Sequence, residues 1–181
     1  MYVNDVFSFR VLLKSGPHNL EFLAVLLYNH LSPNICASLS YPPPSSTVSV
    51  FENLFYTLLA LNPFYFSTFL LLGDFNVNFC NSSHHLFPHL NHIVQCFSLT
   101  QVVPSYTRAH PSGTNSLIDL ALLSDLSKLS HCEIISPLGS SDHYGITLVL
   151  NMQRNRYRSK PSRLVWVYNQ AETRNLICET D

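Results

Sequence analysis

The chain has 181 residues, of which 46% are hydrophobic and only 12% are charged, and its formal net charge is −1. This length and apolar fraction suffice for one folded domain with a buried core, and they exclude an intrinsically disordered chain. The small net charge excludes a general attraction to nucleic acids, so any such affinity must come from a local basic cluster.

The first predicted elements are three strands. Alternating and β-branched residues predict them at 7–13, 20–27 and 35–40. The segment "YPPPSS" comes next, and its prolines exclude it from the interior of a sheet. We therefore expect a rigid loop directly after the third strand.

Helices and strands alternate in the following segment. A helix with Ser46 or Thr47 as its N-cap is expected to end at "NP", because proline disfavours its continuation. Its apolar residues recur at helical spacing: Val50, Phe51, Leu54, Phe55, Leu58 and Leu59. A strand buried on both faces is predicted at 68–72 because it is apolar without alternation, and a second amphipathic helix at about 86–97.

Short strands dominate the rest of the chain. They are predicted at 101–103, 116–123, 129–135 and 146–150. The stretch "PSYTRAHPSGTNS" is predicted to be a loop, because it holds two prolines and a glycine. A short helix is also expected after Trp166. Helices and strands alternating in this way indicate an α/β layered domain.

A membrane span is an alternative for one uncharged segment. Residues 54–72 carry no charge over 19 positions, about the length that crosses a bilayer, although Pro63 disfavours a continuous helix in water. The opening lacks the basic start and apolar core of a signal peptide. The cysteines are widely spaced without a CxxC pair, which indicates reduced thiols: Cys36, Cys80, Cys96, Cys132 and Cys178. We expect no stable membrane association and an intracellular location, the nucleus included.

Polar side chains lie at or inside the ends of three apolar strands. Asp74 and Asn76 follow one strand; glycine, aspartate and asparagine there are typical of a turn, whereas on an extended chain the two side chains would point to the same side. Asp119 lies within another strand, where an unpaired carboxylate is costly to bury, and a histidine from a neighbouring strand end is a natural partner. Alternatively, Asp119 is a buried acid with a structural partner, and Asp142 and His143 of "SSDH" form only a turn before a strand. An Asp–His pair fixes the imidazole tautomer, which suits proton transfer. Oxygen ligands of this kind favour Mg²⁺ over zinc.

The motifs "LLGDFN", "IDLALLS" and "SDHYGITLVL", in this order, resemble the C-terminal half of the endonuclease/exonuclease/phosphatase superfamily. The nearest resemblance is to the endonuclease domain of non-long-terminal-repeat retrotransposons, in which a Tyr–Pro loop like "SYPPPSS" precedes the "GDFN" strand. The resemblance implies an α/β fold, a two-sheet β-sandwich flanked by helices that is only partial in this chain. It also implies hydrolysis of phosphodiesters such as DNA with Mg²⁺ or Mn²⁺ and an activated water.

The resemblance also implies roles for individual residues. Asp74 would orient or deprotonate the attacking water, and Asn76 would bind the scissile phosphate. His143, held by Asp119, would stabilise the transition state. Asp142 would lie near the metal. Two further residues would contact the substrate: Tyr41 and Asn115.

The chain also departs from the pattern of this family at several positions. We expect the chain to begin midway through the first sheet, without the early asparagine and the glutamate that is the principal metal ligand of the family. Glu21 resembles an acid of a later strand that is not the metal ligand. Pro42 stands where related sequences carry a basic residue, so that a phosphate contact is expected to be lost.

The chain is expected to divide at residue 150. On this resemblance, residues 1–150 are expected to form the truncated endonuclease domain, and residues 151–181 resemble the connector that precedes reverse transcriptase in such elements. This tail holds the basic cluster that could contact nucleic acid: Arg154, Arg156, Arg158, Lys160 and Arg163. The alternatives to an active endonuclease are a non-catalytic remnant that binds nucleic acid weakly and a membrane-anchored protein.

Overall fold

The computed structural model describes residues 8–14, 20–29, 32–109, 113–151, 164–166 and 176–178. The strands of these parts are β1 Ser8–Lys14, β2 Glu21–Asn29, β3 Ser32–Tyr41, β4 Thr68–Asp74, β5 Thr100–Gln101, β6 Arg108–Ala109, β7 Asn115–Ser116, β8 Asp119–Leu123, β9 Leu129–Ile135, β10 Gly145–Leu150, β11 Leu164–Trp166 and β12 Leu176–Cys178. The α-helices are α1 Val48–Leu61 and α2 Phe87–Cys96.

Six strands form one sheet in the order β1-β2-β3-β4-β8-β5. Strands β3 and β4 are parallel and are joined through α1, whereas the other neighbours pair in antiparallel fashion. A parallel pair requires a crossover connection, and the apolar helix after "YPPPSS" supplies it. Because β3 and β4 are parallel and β8 is antiparallel to β4, the C-terminal ends of β3 and β4 lie beside the N-terminal end of β8.

Both helices contribute to the main core. Val50, Phe51, Leu54 and Leu58 of α1 are buried in the same cluster as residues of α2 and of the sheet. Asn62 is the C-cap of helix α1: its φ of 50° is left-handed, and its backbone N–H donates to the Leu58 carbonyl at 3.0 Å. Full burial of one such large apolar side chain stabilises the fold by about 1.5–3 kcal/mol.

A separate antiparallel pair, β9–β10, packs against this core. Partly buried and exposed residues alternate along the second half of β9, whereas most of β10 is partly buried. The apolar side chains of the pair that pack against the core are Cys132, Ile134, Ile146 and Leu148. The fold is therefore α/β, and the described residues form the six-stranded sheet, two flanking helices and three two-stranded sheets: β9–β10, β6–β7 and β11–β12. This agrees with the predicted fold class.

Most predicted elements are confirmed, with differences at their ends. The predicted strand 116–123 is shorter in the structure, where β8 begins at Asp119. Residues 117–118 instead accept hydrogen bonds from the loop that follows Asp74. The predicted loop 104–116 contains the β6–β7 pair. Thr47 is the N-cap of α1, but its hydroxyl contacts the Ser49 hydroxyl at 2.8 Å and makes no capping bond.

Two predictions concern the tail and the membrane. The basic cluster of the tail and the helix expected after Trp166 lie outside the described residues, so the connector assignment stays a prediction. Within the described parts, no helix combines the length and hydropathy needed to cross a bilayer. Residues 54–72 are instead divided between α1, a short 3-10 turn and β4.

Candidate active site

Asp74 ends β4 and begins a tight turn. The backbone N–H of Asn76 donates to Asp74 Oδ1 at 2.9 Å, and Asn76 has a left-handed φ of 52°. Asparagine tolerates this backbone better than most residues, which explains its place in "GDFN". The alternative of an extended chain from Asp74 to Asn76 was therefore wrong, because the side chain of Asp74 bonds to the backbone and folds it into a turn.

The glycine before Asp74 allows β3 and β4 to approach closely. Gly73 has a φ of 155°, and a Cβ atom at this position would lie 1.8 Å from the carbonyl oxygen of Ser40. No side chain fits there. The close approach brings the proline loop to the turn, where Asn76 Nδ2 donates to the Pro42 carbonyl at 2.9 Å. The Tyr–Pro loop and the "GDFN" turn therefore form one unit.

The loop after Asp74 is fixed to the segment that precedes Asp119. Phe75 N donates to the Ile118 carbonyl at 2.9 Å, and Phe79 N donates to the Leu117 carbonyl at 2.8 Å. Phe75 and Val77 are fully buried and anchor the loop in the core. These contacts fix the separation between the two acidic strand ends.

Asp119 lies directly opposite Asp74 in the β4–β8 pairing. Like charges in this arrangement repel each other, so at least one carboxylate needs a compensating group. His143 provides it: the His143 Nδ1 atom lies 2.9 Å from Asp119 Oδ2 and 3.2 Å from Oδ1. With the Nδ1 proton donated to Asp119, the Nε2 atom is left for another ligand.

Thr107 connects both members of this pair. It is fully buried, and its hydroxyl oxygen accepts from Asp119 N at 3.0 Å and from Ile118 N at 3.3 Å. The Thr107 carbonyl also accepts from Tyr144 N at 2.8 Å. One residue therefore holds the start of β8 and the loop that carries His143 in register.

Asp142 is placed differently from its expected position at the metal. Arg108 Nε donates to Asp142 Oδ2 at 2.7 Å, and this bond is the main reason why the pKa of Asp142 lies below its usual range. The backbone supports the contact, since Ala109 N donates to the Asp142 carbonyl at 3.0 Å. The structure thus brings Asp142 to an arginine rather than into the cluster formed by Asp74, Asp119 and His143.

That cluster has the composition of a cation site. Asp74, Asp119 and His143 each place a potential ligand atom within 4.8 Å of the others. Burial is the main cause of the raised pKa of Asp74, and the charge of Asp119 raises it further. A cation would relieve this repulsion. Two carboxylate oxygens and one imidazole nitrogen suit Mn²⁺, and also Mg²⁺ when water completes its coordination. The residues therefore fit a divalent metal.

A groove of about 990 Å³ opens beside Asp74. Tyr41 lines it, half-exposed, at the end of β3, and so do Glu21 and Lys14 from the neighbouring strands. Asn115, the other predicted substrate contact, is exposed on β7 opposite Ala109. The structure thus places Tyr41 in the same groove as Asp74. No contact among the described residues connects Asn115 to Asp74, Asp119 or His143.

Sequence reasoning missed Thr107 and Arg108. Both lie in "SYTRAHPSG", whose proline and glycine predict only a loop. The sole signal was a hydroxyl and a basic residue shortly before the strand of Asp119. Their partners are 12 and 34 positions away in the chain, respectively. Such contacts depend on the fold and leave no periodic pattern in the sequence.

A protein-family profile described as "Endonuclease-reverse transcriptase" matches residues 35–147, more than half of the chain. The chain belongs to this family. The match spans the Tyr–Pro loop and the "GDFN" turn. The three residues of the acidic cluster, Asp74, Asp119 and His143, all lie within the matched range. No curated protein sequence matches the chain.

Solved structures show the same fold. The endonuclease domain of TRAS1, a telomere-specific non-LTR retrotransposon, has a TM-score of 0.62 at 14% identity, over 81% of this chain and 80% of that one. The resemblance to the endonuclease/exonuclease/phosphatase superfamily, whose members hydrolyse phosphodiester bonds, is confirmed.

More distant members of the fold are larger. The catalytic domain of human Nocturnin, solved with a sulfate anion, has a TM-score of 0.55 at 13% identity, over 80% of this chain and 60% of that one. The inositol polyphosphate 5-phosphatase domain of SPsynaptojanin has a TM-score of 0.54 at 12% identity, over 82% of this chain and 56% of that one. The chain thus spans less than two thirds of each, and likeness at these identities shows the fold alone.

Proposed function

We propose that this chain is a divalent-metal-dependent phosphodiesterase that nicks DNA. The observation that carries the proposal is the Asp119–His143 bond of 2.9 Å, with Asp74 opposite Asp119 on the neighbouring strand. A carboxylate, an oriented imidazole and a second carboxylate within 4.8 Å of one another form a compact site for hydrolysis. Membership of the endonuclease–reverse transcriptase family supports the same reaction class.

Asp74 is proposed to accept a proton from the attacking water. Its raised pKa, caused mainly by burial, makes it a stronger base than an ordinary exposed carboxylate. The Asn76 backbone N–H holds one of its oxygens, so the direction of the carboxylate is fixed. Asp74 and Asp119 would hold the cation, which leaves the Nε2 atom of His143 for the substrate. Bound there, Mg²⁺ or Mn²⁺ would neutralise charge that develops on the phosphate oxygens.

His143 is proposed to bind a phosphate oxygen through Nε2. Asp119 accepts the Nδ1 proton, and this bond fixes both the orientation of the imidazole ring and its tautomer. Asn76 and Tyr41 are proposed as further phosphate contacts. Asn76 donates one hydrogen of its side-chain amide to the Pro42 carbonyl, and the other hydrogen would donate to the substrate.

Nicking of supercoiled plasmid DNA tests this proposal. The full chain would be assayed with Mg²⁺, with Mn²⁺ and with a chelator, beside Asp74→Ala. Glu52→Ala, which removes an exposed carboxylate on α1, is the matched control. We expect metal-dependent nicking that Asp74→Ala abolishes and Glu52→Ala leaves unchanged. Folded protein that nicks with neither metal would refute the proposal and favour a non-catalytic remnant.

A further inference from the structure

Arg108 lies beside the candidate active site. It pairs with His143 in an isolated antiparallel bridge, and residues directly opposite in such a bridge turn their side chains to the same face. The neighbouring bonds from Tyr144 N to the Thr107 carbonyl and from Ala109 N to the Asp142 carbonyl hold this bridge in place. The guanidinium of Arg108 is therefore carried on the same rigid contact that carries the imidazole.

The contact between Arg108 and Asp142 fixes the guanidinium without hiding it. Nε donates to Asp142 Oδ2 at 2.7 Å, and no hydrogen bond to another described residue occupies the two Nη groups. The side chains of Arg108 and Asp142 keep 37% and 44% of their surface exposed. An ion pair that exposed adds little to folding stability, so its main consequence is the orientation of the arginine.

The shape of the Arg108 guanidinium also favours a phosphate ligand. A guanidinium binds phosphate through two parallel N–H donors, which a planar fork with a fixed Nε presents without further ordering.

We propose that Arg108, oriented by Asp142, binds a backbone phosphate of the nucleic acid next to His143. The inference rests on the proposed function for its class of ligand, and it assigns Asp142 a positioning role instead of metal coordination. Arg108 is then a substrate-binding residue outside the acidic cluster, and the "TR" of "SYTRAH" is the sequence that provides it.

Binding of a short fluorescein-labelled DNA duplex, measured by anisotropy in chelator over a range of salt concentrations, tests the inference without cleavage. We expect Arg108→Ala to weaken binding about tenfold, as for the loss of one charge-assisted contact. The slope of log K against log salt should fall by about 0.9, the value for one lost phosphate contact. A role in folding alone would leave this slope unchanged. Arg108→Lys should keep the slope and recover part of the affinity.

The matched control is Arg10→Ala, which removes an exposed arginine from β1. Strands β2, β3 and β4 separate β1 from β8, about 19 Å at the usual spacing between strands. This variant should bind DNA like the unmodified chain. Asp142→Asn should weaken binding about threefold while the slope stays the same, because the arginine loses its orientation and keeps its charge.

The outcomes separate the inference from the proposed function. Equal affinity and equal slope for Arg108→Ala and the unmodified chain would overturn the inference even where plasmid is nicked. The same holds if the unmodified chain does not bind the duplex, or if Asp142→Asn binds more tightly, since Asp142 would then compete with phosphate. A lower slope for Arg108→Ala in a chain that does not nick DNA would support the inference and refute only the proposed function.

Discussion

Replacement of Thr107 by valine removes the hydroxyl that connects Asp119 to the loop of His143, while shape and volume stay nearly the same. The hydroxyl accepts from Asp119 N and Ile118 N, and the residue has no exposed surface. Each buried N–H left without a partner costs roughly 1–3 kcal/mol. Two such groups with partial relaxation predict a loss of about 2–4 kcal/mol, a large part of the roughly 5–15 kcal/mol that stabilises a typical domain.

Urea denaturation followed by circular dichroism measures this loss. Thr107→Ser is the matched control, because it keeps the oxygen and removes only a methyl group, for a cost of about 1 kcal/mol. The valine variant that remains folded should also nick DNA more slowly than the serine variant, since Asp119 loses a backbone support. A valine variant as stable as the serine variant would show that the hydroxyl does not hold the start of β8.

Three further predictions concern the turn and the cluster. Gly73→Ala should prevent soluble folding or lower the melting temperature strongly, because the new Cβ would lie 1.8 Å from the Ser40 carbonyl oxygen; an unchanged melting temperature contradicts this. In chelator, Asp74→Asn should be more stable than the unmodified chain at pH 7 and not below pH 3.8, because the folded pKa of Asp74 lies above its usual 3.8. The contribution of this carboxyl to stability is complete below the unfolded pKa and is lost as pH rises through the folded value. Denaturation at both pH values checks the sign, and equal curves would refute it. Mn²⁺ at a hundred times its Kd should raise the free energy of unfolding of the unmodified chain by about 2.7 kcal/mol, and that of Asp119→Asn far less. Calorimetry with and without metal measures both, and equal stabilisation of the two chains would contradict the prediction.

Elements that depend on local pattern could be predicted from the sequence. Strand β9 has its predicted bounds, and α1 buries Val50, Phe51, Leu54 and Leu58 as the helical spacing indicates. These features follow from the periodicity of apolar residues, which one chain displays without knowledge of its partners. A partner for Asp119 was also predictable, because a carboxylate inside an apolar strand needs one. The resemblance to the endonuclease/exonuclease/phosphatase superfamily, and no local pattern, implied that this partner is His143.

Features that depend on long-range contacts could not be predicted in this way. The left-handed turn at Asn76 arises from the bond to Asp74 and from the proline loop 34 positions away. The ion pair of Asp142 with Arg108 has the same separation along the chain, so no local pattern favours an arginine over a metal there. Strand β8 begins late because residues 117–118 bond to the loop after Asp74. In each case the folded neighbours decide between local alternatives.

The most direct test of the site is a double-mutant cycle on plasmid nicking with Asp119→Asn, His143→Asn and the double variant, all confirmed to be folded. Groups that act as one unit lose their effect together, so each single variant should lower the metal-dependent rate by at least about a hundredfold. The double variant should be hardly slower than either single one. If the factors by which the two substitutions lower the rate multiply in the double variant, the two residues act independently. That result, or rates equal to those of the unmodified chain, would contradict a site built on the Asp119–His143 pair.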